Sequence, residues 1–251
     1  MLDGKVALIT GGGKGIGKGI ALSMAREGAR VVIGCNRSVG MAEDTLRELK
    51  ELTDAVLVQS DVGTPEGCQA LVDAAKENFG RLDILVNNAA IQTQYSMLEG
   101  QEDDFRRIIR VNLRAAYLMM QKSLPLLKES PCGRIIVISS VHGKRPNDFD
   151  AAYSASKGGL KMLVREAALE FAKYGITVNC IAPGGVDIEG KPGSPRHPLY
   201  RKVPHPGAMD HHPLGRGLPK HCGDLACWIA TEASEHLSGT SIRLDGCSML
   251  F

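Results

Sequence analysis

The sequence predicts an α/β fold, a doubly wound parallel sheet of about seven strands with helices on both faces. Three observations carry this expectation. Short apolar runs alternate with helical patterns up to residue 182, which calls for parallel strands joined by helical crossovers. The first run, Val6-Ala7-Leu8-Ile9-Thr10, ends in Gly11-Gly12-Gly13-Lys14-Gly15-Ile16-Gly17 and passes straight into a helical pattern. Further polar or glycine clusters fall at the ends of later strands, where ligands bind in such sheets. No internal repeat and no dividing linker interrupts the chain, so residues 1–251 read as one domain.

Composition narrows the function classes. Hydrophobic residues make up 43% of the 251 and charged residues 23%, with a net charge of +2. That is ordinary for a globular chain and offers no charge excess for nucleic acid or a membrane surface. No apolar run reaches the roughly 20 residues of a membrane span. The start, Leu2-Asp3-Gly4-Lys5, lacks a signal-peptide layout, and the expected location is cytoplasmic. The seven cysteines are odd in number and include no C-x-x-C pair, which fits reduced thiols. His221-Cys222 with Cys227 lacks the second half of a zinc site, so no metal is expected.

The elements follow in order. After the glycine turn, Ile20, Leu22, Met24 and Ala25 mark a helix closing at Gly28. The glycines allow a tight turn and close approach of backbone to a pyrophosphate, whose charge suits a helix N-terminus. Arg30–Cys35 is the second strand. An acidic residue near its end would grip a ribose 2′-hydroxyl, whereas a cation accommodates a 2′-phosphate. No acid occurs between Glu27 and Glu43; Asn36, Arg37 and Ser38 stand there, and Lys14 can face the same pocket. NADP(H) is therefore expected in preference to NAD(H).

Met41–Leu52 is an amphipathic helix, and Ala55–Gln59 a strand ending at Ser60-Asp61-Val62. Thr64-Pro65-Glu66 opens a helix over 65–79. Leu82–Val86 leads to Asn87-Asn88-Ala89-Ala90. A helical pattern over 102–122 contains Asn112, a residue helices do not favour. Arg134–Ile138 ends in Ser139-Ser140; a helix spans 151–174; Ile176–Ile181 leads to Pro183-Gly184-Gly185-Val186. Residues 183–220 break the rhythm and hold eight of the twelve prolines, with many cations and histidines. Such a loop is usually functional, and it is expected to cap a substrate. A helix near 222–231 and a strand over 240–244 close the pattern.

Tyr153 and Lys157 lie four residues apart, on one helix face. An ammonium beside a phenol favours the phenolate and would let Tyr153 pass a proton. The spacing alone is unspecific; its value comes from what lies upstream.

Over essentially its whole length the chain resembles the short-chain dehydrogenase/reductase family. The matching residues are Thr10 to Gly17, Asp61-Val62, Asn87 to Ala90, Asn112, Ser140, Tyr153 with Lys157, Asn179, Pro183 to Val186, and Asp245-Gly246. Ser140 stands 13 residues before Tyr153, the separation usual in that family. The resemblance implies a Rossmann fold and a catalytic group of Asn112, Ser140, Tyr153 and Lys157. Tyr153 would be the general acid for ketone reduction and the base for alcohol oxidation. Lys157 would lower its pKa and bind the nicotinamide ribose. Ser140 would hold the substrate oxygen, and Asn112 a water leading to Lys157.

The resemblance also implies a cofactor site. Thr10, Gly11, Gly15, Ile16 and Gly17 would meet the pyrophosphate, and Asp61 and Val62 the adenine. Asn88, Ala89 and Ala90 would border the cofactor with Tyr153 and Lys157, and Pro183, Gly184 and Val186 would lie at the carboxamide. Two departures stand out: Ala90 replaces a usual glycine, and Ile188 a usual threonine, so amide anchoring would be weaker, or taken up by Asp187 or by backbone.

For substrate, Ser140-Val141-His142-Gly143 and the stretch from Tyr153 to Gly159 are similar to glucose 1-dehydrogenase-type members. The 3-oxoacyl-carrier-protein reductases are the alternative. The basic, His-rich loop favours a small polar carbonyl, sugar or polyol, with Ser140, His142 and Tyr153 in contact. A non-catalytic NADP(H)-binding sensor or scaffold is the reading from another class. Apolar residues on helices 102–122 and 153–174 (Leu113, Tyr117, Leu118, Met120; Leu163, Ala167, Ala168, Phe171) point to a partner subunit. A homotetramer or homodimer is expected.

Overall fold

The computed structural model describes residues 1–93, 97–146, 150–188 and 213–250. Most of the expected capping segment, 189–212, lies outside the described residues. The seven strands are β1 (Val6–Ile9), β2 (Arg30–Cys35), β3 (Ala55–Gln59), β4 (Ile84–Asn87), β5 (Arg134–Ile138), β6 (Thr177–Pro183) and β7 (Ser241–Leu244). They form one sheet in the order β3-β2-β1-β4-β5-β6-β7. Every pairing is parallel.

Alternation along the strands builds two cores. Val6 and Leu8 of β1 face one side with Ile135 and Val137 of β5. Ala7 and Ile9 face the other with Ile136 and Ile138. Successive strand residues point to opposite faces, so both faces demand helices. The first face is covered by α3 (Pro65–Phe79), α5 (Ala115–Leu127) and α6 (Ala151–Phe171). The second is covered by α1 (Gly15–Arg26), α2 (Val39–Lys50) and α7 (Pro219–Ile229).

Three elements differ from the sequence pattern. The helix expected over 102–122 is α4 (Glu102–Ile109), a π-helical turn (Arg110–Arg114) and α5, which continues through Pro125. The α-helical period runs through the π turn, so the pattern conceals it. The last helix begins at Pro219, not near 222. Proline fits its first turn, where a backbone N–H has no helical partner, and His221 Nδ1 accepts from Leu218 N at 3.1 Å. Finally, most of the apolar residues read as a partner face are interior. Met120, Ala167, Ala168 and Phe171 belong to the core, and the outward apolar side chains of α4, α5 and α6 are Phe105, Tyr117, Met162 and Leu169.

Strand order reverses at β1, with β2 on one side and β4 on the other. That switch point leaves a crevice at the C-terminal strand ends, and a hydrogen-bonded knot holds it. Thr10 Oγ1 accepts from Asn88 N and Ala89 N, each at 3.0 Å. Asn88 Nδ2 donates back to Thr10 O at 2.9 Å and Gly11 O at 3.1 Å.

Candidate active site

The glycine turn lies in this crevice. Gly11 and Gly15 have φ of +64° and +53°, a region that side chains with a Cβ rarely enter. At Gly17 a Cβ would stand 2.2 Å from Gly11 O, so no larger residue fits that contact. Lys14, the residue before α1, makes no side-chain cap, and the first turn of the helix holds no acid. Its N-terminal N–H groups are therefore not satisfied by a capping side chain. Such an end accepts an anion, and these residues fit a dinucleotide pyrophosphate.

Beside the turn, Lys14 Nζ donates to Ser38 Oγ at 2.8 Å. This joins two of the residues expected at the second-strand end, while Asn36 and Arg37 are exposed next to them. Asp61 Oδ1 accepts from Gly63 N at 2.8 Å, which fixes the loop after β3. Val62 is buried behind it. Across the crevice, Pro183 ends β6 and Gly184 N donates to Leu244 O at 3.0 Å. Val186 bridges Gly217. Ile188 leans over the glycine turn, its Cγ2 3.2 Å from where a Gly15 Cβ would stand. The Asp187 carboxylate pairs with Arg216.

The catalytic candidates converge from three elements. Ser140 follows β5, Tyr153 and Lys157 share the first turns of α6, and Asn112 comes from the π turn. The Ser140 hydroxyl hydrogen-bonds the Tyr153 phenol and also accepts from His142 N at 3.1 Å. Ser139 turns the other way, donating to Lys157 O at 2.9 Å. Lys157 is 3% exposed; its Nζ donates to Ile138 O at 2.7 Å and lies 5.4 Å from the Tyr153 ring centroid.

Electrostatics here depart from the simple Tyr–Lys expectation. Burial pushes the Tyr153 phenol above its ordinary value, the Ser140 hydrogen bond opposes that rise, and the Asp150 carboxylate adds to it. Burial pushes Lys157 down to about 8. The phenol thus keeps its proton at neutral pH, the state a proton donor to a carbonyl needs.

Asn112 is fully engaged. Its Oδ1 accepts from Ile91 N at 2.8 Å, and its Nδ2 donates to Ile91 O at 2.9 Å. Nδ2 also reaches Ser156 Oγ at 3.2 Å, and that hydroxyl donates to Tyr153 O at 2.6 Å. The side chain ties the loop after β4 to α6. A π turn in a long helix is a common accompaniment of functional sites. A small recess behind the group is lined by Thr10, Asn87, Ala89, Asn112, Ile138 and Leu160.

Two residues, Asp150 and Gln92, escaped the sequence reading. Asp150 is buried at 3% exposure, and its Oδ2 accepts from Gln92 Nε2. An acid just before a helix reads as an ordinary cap, so nothing in the pattern singles it out. On α7, burial pushes the Cys222 and Cys227 thiols up to about 12.

Comparison with known proteins assigns this geometry. The family model described as short chain dehydrogenase matches residues 5–194. The chain belongs to the short-chain dehydrogenase/reductase family. It is 35% identical to a glucose 1-dehydrogenase of Bacillus subtilis, covering 100% of this chain and 96% of the relative. It is 36% identical to a versicolorin reductase of Emericella nidulans, covering 98% and 96%. A short-chain dehydrogenase from Burkholderia cenocepacia, solved in complex with NADP, superposes with a TM-score of 0.87. That match has 31% identity and covers 98% of both chains. The protein is accordingly an oxidoreductase of this family, acting on CH–OH and carbonyl groups and using a nicotinamide cofactor. No described helix is long and apolar enough to cross a membrane.

Proposed function

We propose that this short-chain dehydrogenase is an NADP(H)-dependent enzyme interconverting a secondary alcohol and a ketone, with Tyr153 as general acid and base. The observation that carries the reading is the Ser140 hydroxyl bonded to the Tyr153 phenol above buried Lys157. These groups stand beside an uncapped helix end at the switch point. The nicotinamide, when bound, supplies or accepts the hydride. Ser140 and Tyr153 hold the substrate oxygen, and their donors stabilise the negative charge that grows there during reduction. Tyr153 gives its proton to that oxygen; in the oxidative direction it takes one back. Lys157 orients the site from beneath, and Asn112 fixes α6 against the loop after β4.

Preference for NADP(H) over NAD(H) rests on Lys14 joined to Ser38, on Arg37 beside them, and on the absence of an acid at the end of β2. The solved relative that carries NADP supports the same choice. The substrate is a small polar carbonyl, sugar or polyol held against Ser140, His142 and Tyr153. The chain acts as one domain. Cytoplasmic residence fits seven free cysteines, six of them buried. The outward apolar residues of α4, α5 and α6 support a homotetramer.

Tyr153→Phe tests the mechanism. It should abolish NADPH-linked carbonyl reduction, followed by absorbance, while NADPH still binds by fluorescence titration. Substantial turnover in this variant would sink the assignment. Catalytic efficiency with NADH equal to or above that with NADPH would remove the cofactor preference.

A further inference from the structure

We infer that Thr45 is a positioning residue for the cofactor: its buried hydroxyl fastens the glycine turn to α2 and so sets Lys14 where it can meet a 2′-phosphate. Thr45 thereby helps to decide between NADP(H) and NAD(H). This rests on the NADP(H) preference proposed above and deepens it with a residue that acts through others.

The starting point is a polar side chain on an apolar face. The inner face of α2 consists of Ala42, Thr45 and Leu49, a stripe at helical spacing. Thr45 is 0% exposed. A buried hydroxyl needs a partner, and a threonine in a helix finds one in the carbonyl four residues back. Thr45 Oγ1 has that partner in Met41 O at 3.0 Å. It also reaches Gly13 O at 2.9 Å, across 32 residues of sequence. The first bond is enough to satisfy the hydroxyl; the second acts on the glycine turn.

The turn presses on α2 at this point. A Cβ on Gly13 would stand 2.4 Å from Ala42 Cβ, so only a glycine fits there. The next residue is Lys14, whose Nζ donates to Ser38 Oγ at 2.8 Å. Ser38 is the N-cap of the same α2, and Asn36 and Arg37 precede it after β2. One helix thus holds two consecutive residues of the turn, Gly13 through Thr45 and Lys14 through Ser38. The bond to Gly13 is to backbone, so it fixes where the Lys14 side chain starts. Without it the Gly13 carbonyl must turn towards another donor, and Lys14 starts from a different place. An ammonium already set for an anion binds it more tightly than one that must be ordered on binding. NADH has no 2′-phosphate for Lys14 to meet, so it loses less.

The test is fluorescence titration of the full chain with NADPH and with NADH, read as the Kd for NADH divided by the Kd for NADPH. Thr45→Val keeps the volume and removes the hydroxyl; Thr45→Ser keeps the hydroxyl. The ratio should fall about fivefold in the valine variant and hold the parent's value in the serine variant. Thr45→Ala is read in the same way if the valine variant does not fold. Lys14→Ala supplies the deciding background: with the ammonium gone, adding Thr45→Val should leave the ratio unchanged, as expected of residues that act as one unit. A threonine that only stabilises the fold would weaken both cofactors alike, and a ratio held at the parent's value in Thr45→Val would overturn the inference alone. So would an equal fall with Lys14 present and absent, or an equal fall in the serine variant. A parent that binds NADH as tightly as NADPH would remove the NADP(H) preference and the inference with it.

Discussion

Lys157 has an ammonium on a backbone carbonyl and almost no contact with water. Its pKa of about 8 in the folded chain lies below the 10.5 of an exposed lysine. Between those values the unfolded chain binds more protons than the folded one, so stability rises with pH across the window. Below it both states are charged, and the folded state carries the whole cost of the buried charge. Lys157→Met should therefore be more stable than the parent at pH 7 in urea unfolding, with the gap narrowing as pH rises from 8 to 10.5. It should also lose turnover. A lysine whose removal stabilises the fold and silences the enzyme is kept for chemistry. The Tyr153–Lys157 spacing was legible because both residues lie on one helix. That burial and the Asp150 charge raise the phenol's pKa was not legible, because local spacing places neither.

The strand ends and the π turn do the positioning. Strand boundaries could be read closely because apolar runs and glycine or polar punctuation coincide with them. The π turn could not, since a helical period passes through it unmarked. Asn112 explains why the helix tolerates it: both atoms of its amide pair with Ile91, and Nδ2 reaches Ser156. Asn112→Leu should cost roughly 3 kcal/mol, because it leaves part-buried backbone groups of Ile91 without partners. Denaturant unfolding measures that loss, and turnover should fall even where the variant stays folded, because the loop and α6 lose their tie. At the glycine turn, Gly17→Ala would force a methyl to within 2.2 Å of Gly11 O. The turn must open, so NADPH affinity in a fluorescence titration should fall at least about tenfold, the price of moving the backbone off the phosphate. An unchanged affinity would show that the turn is not the pyrophosphate cradle.

At the scale of the whole molecule, the two-sided core accounts for most apolar residues of the long helices, which is why a sequence pattern overstated the partner face. An apolar residue on a helix looks alike whether it meets its own sheet or another subunit, and only the packed structure separates them. What remains outside is narrower: Phe105, Tyr117, Met162 and Leu169, with Leu169 at 78% exposure. Isolated exposed apolar residues are ordinary, but here they occur on neighbouring helices that pack together, α4 and α6 among them. Joint burial of such side chains contributes about 1.5–3 kcal/mol apiece. Replacing Tyr117 and Leu169 together by Glu removes that gain and places charges where the subunits would meet, while neither side chain belongs to the core. Light scattering of the parent should give a tetramer mass, and the double variant a dimer or monomer with an unchanged circular dichroism spectrum. Since Tyr153 and Lys157 stand on α6, one of the helices presented to the partner, loss of the tetramer should also lower the temperature at which activity disappears. A parent that scatters as a monomer at working concentration would instead leave the apolar residues of α4, α5 and α6 without a partner, and the homotetramer proposal with them.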